Sequence, residues 1–231
     1  MAADGRRRSG ATREVSRRRG RRPGRTGEQT RATILATAQR MFGEAGFRGV
    51  SMARLAAACD LDARALYHHF GSKRGLFDAA VGDAFACFGQ EVLARAFAHE
   101  RAVDRLHGYV DAYRTLHDRE PHVLAMIGRA LVEILSDDGT TRAGADGPIA
   151  EGERLRQLLE SVVDEAIERG EVAPDLDRDG LVLLLSTIGM GLALASLDDS
   201  GAFAAMLDAL DRLSDGSIFT ARARARRRRP G

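Results

Sequence analysis

The 231-residue chain has no tryptophan, three tyrosines, two cysteines, five prolines and a single lysine. Cys59 and Cys87 cannot build a disulfide framework, and no CxxC or Cys/His spacing suggests zinc. Both read as small buried residues in a reducing cytoplasm. The arginine-rich start is followed by no apolar stretch of the kind a secretory leader needs, so a cytoplasmic protein is expected. The most apolar run, 181–197, is about one residue short of the ~18 that would argue a membrane span. It also carries Ser186, Thr187 and Ser196, and is expected to be a buried helix with no membrane partner. No P-loop, HExxH pair or serine-hydrolase elbow appears, so neither an enzyme nor a cofactor is expected. What remains is an ordinary composition for a soluble chain, 44% hydrophobic and 29% charged, long enough for one or two domains with a real core.

What the chain does have is a divided charge. The net value of +2 is the balance of unlike segments. Residues 1–27 hold ten Arg against Asp4 and Glu14, and residues 222–231 add six more Arg. Residues 79–221 hold twelve basic and twenty-six acidic groups. A basic amino-terminal third beside an acidic body points to a polyanion partner, nucleic acid, at one end only.

Residues 1–27 lack apolar periodicity and read as a disordered basic arm, with 216–231 as a similar tail. Between them the pattern is helical throughout, in about nine helices, and the fold class expected is all-α. Ile34, Leu35, Ala38, Met41 and Phe42 share one face of a first helix, which should stop at Gly46 with Phe47 folding back. Ser51, Asp62 and Ser72 are placed to cap the next three helices. In the acidic body, Val103, Leu106, Val110, Tyr113 and His117 form one stripe, and Leu124, Ile127, Leu131, Ile134 and Leu135 the next, behind Pro121. A Gly/Asp/Thr loop over 136–148 precedes a helix ended by Gly170 and Pro174. "DLDRDG" (175–180) opens like a calcium loop, but Ser186 stands where the bidentate Glu belongs, and helix capping by Asp177 or Asp179 is expected instead. "GMGLAL" (189–194) follows no strand and has Leu194 at the third glycine position, so it reads as helix packing rather than a dinucleotide fingerprint.

The stretch "LDARALYHHFGSKRGLF" (61–77) concentrates aromatic and basic chemistry, including the sole lysine, Lys73. His68 and His69 are adjacent, ~100° apart on a helix, and cannot grip one metal as an i,i+4 pair would. Two short helices, 51–58 and 62–69, joined by a tight turn and preceded by a longer helix, are instead the layout of a helix-turn-helix, whose second helix enters the major groove. Leu55, Ala56, Leu61, Leu66 and Phe70 would hold the pair against the first helix, leaving Ala63, Arg64, Tyr67 and His68 exposed.

The run "ILATAQRMFGEAGFRGVSMARLAAACDLDARALYHHFGSKRGLF" resembles the DNA-binding domain of the TetR family of bacterial transcriptional regulators. The resemblance is close over about a fifth of the chain; the later helices agree in number and length only. It implies a three-helix DNA-binding domain over 28–73 and a larger helical effector-binding and dimerisation domain over 74–215. It further implies that Ser51, Tyr67, His68 and Lys73 meet the phosphate backbone, that Ala63, Arg64 and Ala65 face base edges, and that His69 and Phe70 close the domain against the fourth helix. Two departures stand out: Asp60 replaces the usual turn glycine, and Arg64 replaces a small residue. Arg64 either pairs with guanine or touches only phosphate and solvent.

The expected protein is a homodimer on double-stranded operator DNA, released by a small-molecule effector, with repression as the family's usual mode. The helix 181–197 and the last helix are the candidate dimer face, and the fourth helix is the link between DNA module and body. Tyr109, Tyr113 and His117 are candidate effector-pocket residues or, alternatively, core aromatics with satisfied polar tips. The arm either adds salt-sensitive affinity or is a stretch included by a wrong start assignment. Two other readings remain: a nucleoid-type protein coating DNA through its arginine tails, and a ligand-binding or enzymatic body whose helix-turn-helix is vestigial.

Overall fold

A computed structural model of the chain describes residues 27–136, 148–198 and 201–215. The arm (all but Gly27), the tail 216–231 and the interior of the 136–148 loop lie outside the described residues. Among the described residues the regular elements are nine α-helices, α1 (Gly27–Gly49), α2 (Met52–Ala58), α3 (Ala63–Phe70), α4 (Lys73–Ala96), α5 (Ala102–Arg119), α6 (Pro121–Ser136), α7 (Pro148–Glu168), α8 (Arg178–Ala195) and α9 (Ala202–Ser214).

The local punctuation follows from side-chain chemistry. α1 breaks at Gly46, where φ is 69° and ψ 175°, a backbone state that glycine reaches without a Cβ clash. Phe47 then turns back, its ring 5.2 Å from that of Phe77. Ser51 caps α2 by accepting from the Arg54 N–H at 3.2 Å, Asp62 caps α3 from Arg64 at 2.8 Å, and Ser72 caps α4 from Gly75 at 2.9 Å. Each satisfies an amide that the helix itself leaves unpaired. Pro121 opens α6, where a missing N–H costs nothing. Asp177 caps α8 through the Gly180 N–H at 2.6 Å, so the calcium-like run is a helix start.

A single apolar cluster runs from Ile34, Phe42, Leu55 and Leu66 through Phe77 and Phe88 to Tyr113, Leu124, Leu192 and Phe203. α6 sits inside it, between α1 and α8. A Cβ on Gly43 of α1 would lie 3.1 Å from the Ala125 Cβ, and one on Gly128 would lie 2.4 Å from the Ala193 carbonyl oxygen. Two glycines thus let helix backbones approach on either side of α6.

Three expectations are corrected. The buried face of α5 is Arg105, Gly108, Tyr109, Val110, Ala112, Tyr113 and Leu116. Val103 and His117 are exposed, because glycine, alanine and a paired arginine fill positions that a hydrophobic pattern does not register. Arg105 is admitted to the interior by an ion pair with Glu165 and a 2.9 Å bond to the His99 carbonyl. α8 is not a buried helix: only Val182, Gly189, Leu192 and Ala193 of its residues are buried. It is long and apolar enough to cross a membrane by length and composition. Finally, His69 is exposed rather than closing the domain, and half-buried Phe70 meets α1, with the Arg31 guanidinium 4.8 Å from its ring centre.

Candidate nucleic-acid interface

The turn between α2 and α3 sets the pose of α3. The Leu61 N–H donates to the Ala56 carbonyl at 2.9 Å and the Asp60 N–H to the Ala57 carbonyl at 3.2 Å. This paired closure requires a left-handed residue after the helix cap. Asp60 fills that place with φ 57°, the one non-glycine residue of positive φ among those described. Aspartate tolerates that region better than most side chains, so the turn forms without the usual glycine.

α3 is anchored by one fully buried side chain, Leu66. With a helical repeat this buries one flank and presents the other. Arg64, Tyr67 and His68 are exposed, and Ala63 and Ala65 are half-buried. Ala63 therefore packs partly against the core rather than standing free. Ser51 is exposed at the start of α2 with its oxygen engaged by Arg54 N–H. Lys73 is half-buried, its ammonium 4.5 Å over the Phe47 ring, an orientation a ring quadrupole favours. Its neighbour Arg74 is taken up by an ion pair with Asp78 at 2.8 Å. The structure thus gathers Ser51, Arg64, Tyr67, His68 and Lys73 on α2, α3 and the start of α4. Three further cations were not anticipated: Arg48 and Arg54, both exposed on either side of Ser51, and Arg31, drawn to the end of α3 by Phe70. Arg31 is far from the motif in sequence; only its spacing along the outer face of α1 could have marked it.

Two cavities lie among the described residues of the body. One, of about 600 Å³, is bounded by α4 to α8 and lined by Phe88, Tyr109, Tyr113, Ile127, Leu159 and Gly189 among others. The second, of about 330 Å³, lies toward the α4–α5 turn, and Tyr109 and Leu159 border both. Tyr109 and Tyr113 are buried and face each other, hydroxyl to hydroxyl, at 3.3 Å. Burial pushes the Tyr109 hydroxyl up to about 12, and Tyr113 well above its ordinary value for the same reason. Both are neutral phenols at any physiological pH. Of the three candidate pocket residues these two meet at a cavity wall. His117 does not: it is exposed and stacks on Phe203, ring centres 4.3 Å apart.

α6 touches both ends of the molecule. Ile127, Ala130, Leu131 and Ile134 line the larger cavity. On the next position, the Arg129 side chain donates to the α1 carbonyls of Gly43 at 2.9 Å and Glu44 at 3.2 Å. These are carbonyls at the end of a helix segment, where a cation is favoured. α4 makes the other connection, with the Gln39 amide donating to the Ala80 carbonyl at 3.2 Å and to Asp83 at 2.8 Å.

A capped helix-turn-helix packed on a cavity-bearing helical body defines a DNA-binding transcriptional regulator. Residues 34–80 match the family described as bacterial regulatory proteins, tetR family. The HTH-type transcriptional regulator UidR of Escherichia coli is 24% identical over 209 residues, covering 84% of this chain and 95% of that protein. A TetR transcriptional regulator from Chloroflexus aurantiacus superposes with a TM-score of 0.68 at 26% identity, over 82% of this chain and 94% of that one. AibR, solved with isovaleryl coenzyme A and operator DNA, shares the fold at a TM-score of 0.59 and 22% identity, over 80% and 97% of the two chains. The DNA-binding region of the chain, residues 34–80, is thus that of the bacterial tetR regulatory proteins, and the helical body that follows is similar to that of solved regulators of this kind.

Proposed function

We propose that the chain is a homodimeric repressor that leaves its operator when a small molecule enters the larger cavity. The observation that carries this reading is the double role of α6, which walls the cavity and grips α1 through Arg129. A ligand that prefers one position of α6 shifts the DNA module by its differential affinity for the two states. Residues 28–73 serve as the DNA-binding unit and 74–215 as the effector and dimerisation unit. In the first, Ser51, Tyr67, His68 and Lys73 meet phosphates, while Arg64 reads a base edge flanked by Ala63 and Ala65. Arg31, Arg48 and Arg54 add charge around them. In the second, Tyr109 and Tyr113 are the effector-facing polar groups, and His117 belongs to the α5–α9 packing. AibR, of the same fold, combines an acyl-CoA ligand with operator DNA.

A lone helix-turn-helix reads too few bases to find one genomic site, so two copies are needed. The apolar excess of α8 suits that need. Leu183, Leu184 and Met190 are exposed on it, as are Ala205, Ala209 and Leu213 on α9. A four-helix contact of α8 and α9 with their copies covers this face. A DNA-bound regulator of this kind works in the cytoplasm.

The test is fluorescence anisotropy of duplex DNA from immediately upstream of the gene against a scrambled duplex, near physiological salt. A preference of ~10³-fold or more is expected. Equal binding to both would leave a distant operator or DNA coating, and loss of that binding in a chain without its arginine tails would favour coating and sink the specific regulator.

A further inference from the structure

The polar groups of the larger cavity are one-sided in a way that selects its ligand. The Tyr113 hydroxyl lies 3.1 Å from the Gly189 carbonyl oxygen, which can only accept. Its single proton is therefore committed there, and the hydroxyl 3.3 Å away on Tyr109 must be the donor of the pair. The third hydroxyl on the wall, Ser186, donates to the Val182 carbonyl at 2.8 Å. All three protons are spent within the protein. What the hydroxyls keep for a ligand is lone pairs.

The charged lining points the same way. Glu153, Glu160 and Asp179 border the cavity, and Arg156 is the one cation among its described lining residues. Arg156 is held by Glu153 on one side and Glu160 on the other. No lining cation is left to receive an anion, and removing a carboxylate or phosphate from water without a partner is costly. The remaining wall is apolar and aromatic, with the Phe88 ring 4.6 Å from that of Tyr113. Neutral phenols, held so by burial, do not reverse this polarity near neutral pH.

We infer that the larger cavity takes an apolar, ring-bearing ligand whose polar end is a hydrogen-bond donor, received by the Tyr109 and Ser186 oxygens, and that it rejects anions. This rests on the reading of the cavity as the effector site and adds the ligand class to it. The Tyr109–Tyr113–Gly189 relay fixes the direction. A ligand acceptor placed against Tyr109 would have to pull its proton from Tyr113 and leave that pair broken.

Three aromatic probes of one size separate the possibilities: 2-naphthol, which can donate, 2-methoxynaphthalene, which only accepts, and 2-naphthoate, an anion. Titration calorimetry with the full chain is expected to rank naphthol about tenfold tighter than the ether, the scale of one net hydrogen bond, with naphthoate weaker than both. Tyr109→Phe keeps the ring and removes the acceptor, so naphthol should lose most of its advantage while the ether keeps its affinity within about twofold. Unchanged ether binding also reports that the variant is folded. Ser186→Ala, which alters an independent wall position, should remove a further part of the naphthol preference. Equal binding of naphthol and ether, or naphthoate binding tightest, overturns the donor assignment while leaving a ligand cavity in place. A naphthol advantage that survives both substitutions overturns it too. Failure of all three probes to bind overturns this inference and the cavity reading beneath it.

Discussion

Truncating Leu184 to alanine should loosen the proposed dimer by an amount the structure sets. Leu184 lies on the exposed side of α8, lines neither cavity, and keeps 55% of its surface open in the single chain. Leu→Ala removes three carbons, ~2.4 kcal/mol of transfer energy if wholly buried, at ~0.8 kcal/mol per methylene. A covering partner gains about half of that, ~1.3 kcal/mol, because the other half is already buried against the chain itself. A twofold contact includes the substitution twice, so the dimer should weaken by ~2.6 kcal/mol, ~80-fold in Kd. Sedimentation velocity over a dilution series reads this directly, with far-UV circular dichroism confirming that the helices remain. Leu184→Glu, which brings a charge to the same place, should weaken association further. Affinity for a duplex with two half-sites should fall with the dimer, whereas binding to a single half-site should not. Unchanged sedimentation of both folded variants would refute the assignment of α8 as the contact.

Arg64→Ala should cost ~1–3 kcal/mol against the natural operator and little against a duplex altered at the base it reads; equal losses on both duplexes would reduce Arg64 to a phosphate contact. Arg129→Ala should leave the chain folded but ~1–2 kcal/mol less stable, from two lost charge-assisted bonds in partial contact with water. The same variant should show less ligand-induced release of DNA in anisotropy, and undiminished release would remove Arg129 from the coupling. Because burial raises Tyr109 from 10.0 to about 12, its contribution to stability is fully present below pH 10. Above that the unfolded chain gives up a proton that the folded chain must keep, so stability falls as pH rises toward 12. Chemical denaturation at stepped pH should show this loss, and Tyr109→Phe should reduce it, leaving the part that the likewise raised Tyr113 contributes.

The DNA-binding end was legible because its instructions are local. Ser51, Asp62 and Ser72 each cap the helix that begins beside them, Gly46 breaks α1, and Leu66 can face only inward once its neighbours are set. The body was legible in number of helices and much less in which side they bury. On α5 a hydrophobic stripe through Val103 and His117 was the simplest pattern, yet the buried side includes Gly108, Ala112 and Arg105. Gly108 is there because a Cβ would sit 2.6 Å from the Arg95 carbonyl oxygen, and Arg105 because Glu165 comes from sixty residues away. Neither contact leaves a trace within α5 itself. On α8 the sequence cannot separate apolar residues that meet their own chain from those that wait for another, since both have the same composition. His117 failed as a pocket residue for a related reason: its partner, Phe203, is contributed by α9.

The fourth helix was expected to link body and DNA module, and α6 makes a second connection to α1. α4 is bound to α1 by aromatic packing, with Phe77 5.2 Å from both Phe42 and Phe47, and by the Gln39 bonds. Phe42, Phe77 and Gln39 are buried, and these contacts tie α4 to α1. α6 meets the same α1 through close backbone approach at Gly43 and through the long, half-buried side chain of Arg129. An arginine spanning from cavity wall to helix end can change its reach without opening the core, which packed phenylalanines cannot do. In the proposed mechanism a ligand between α4 and α6 would therefore reach α1 by two routes, the packed phenylalanines of α4 and the Arg129 side chain of α6. In that mechanism the loss of Arg129 would remove one of the two routes and leave the α4 route in place.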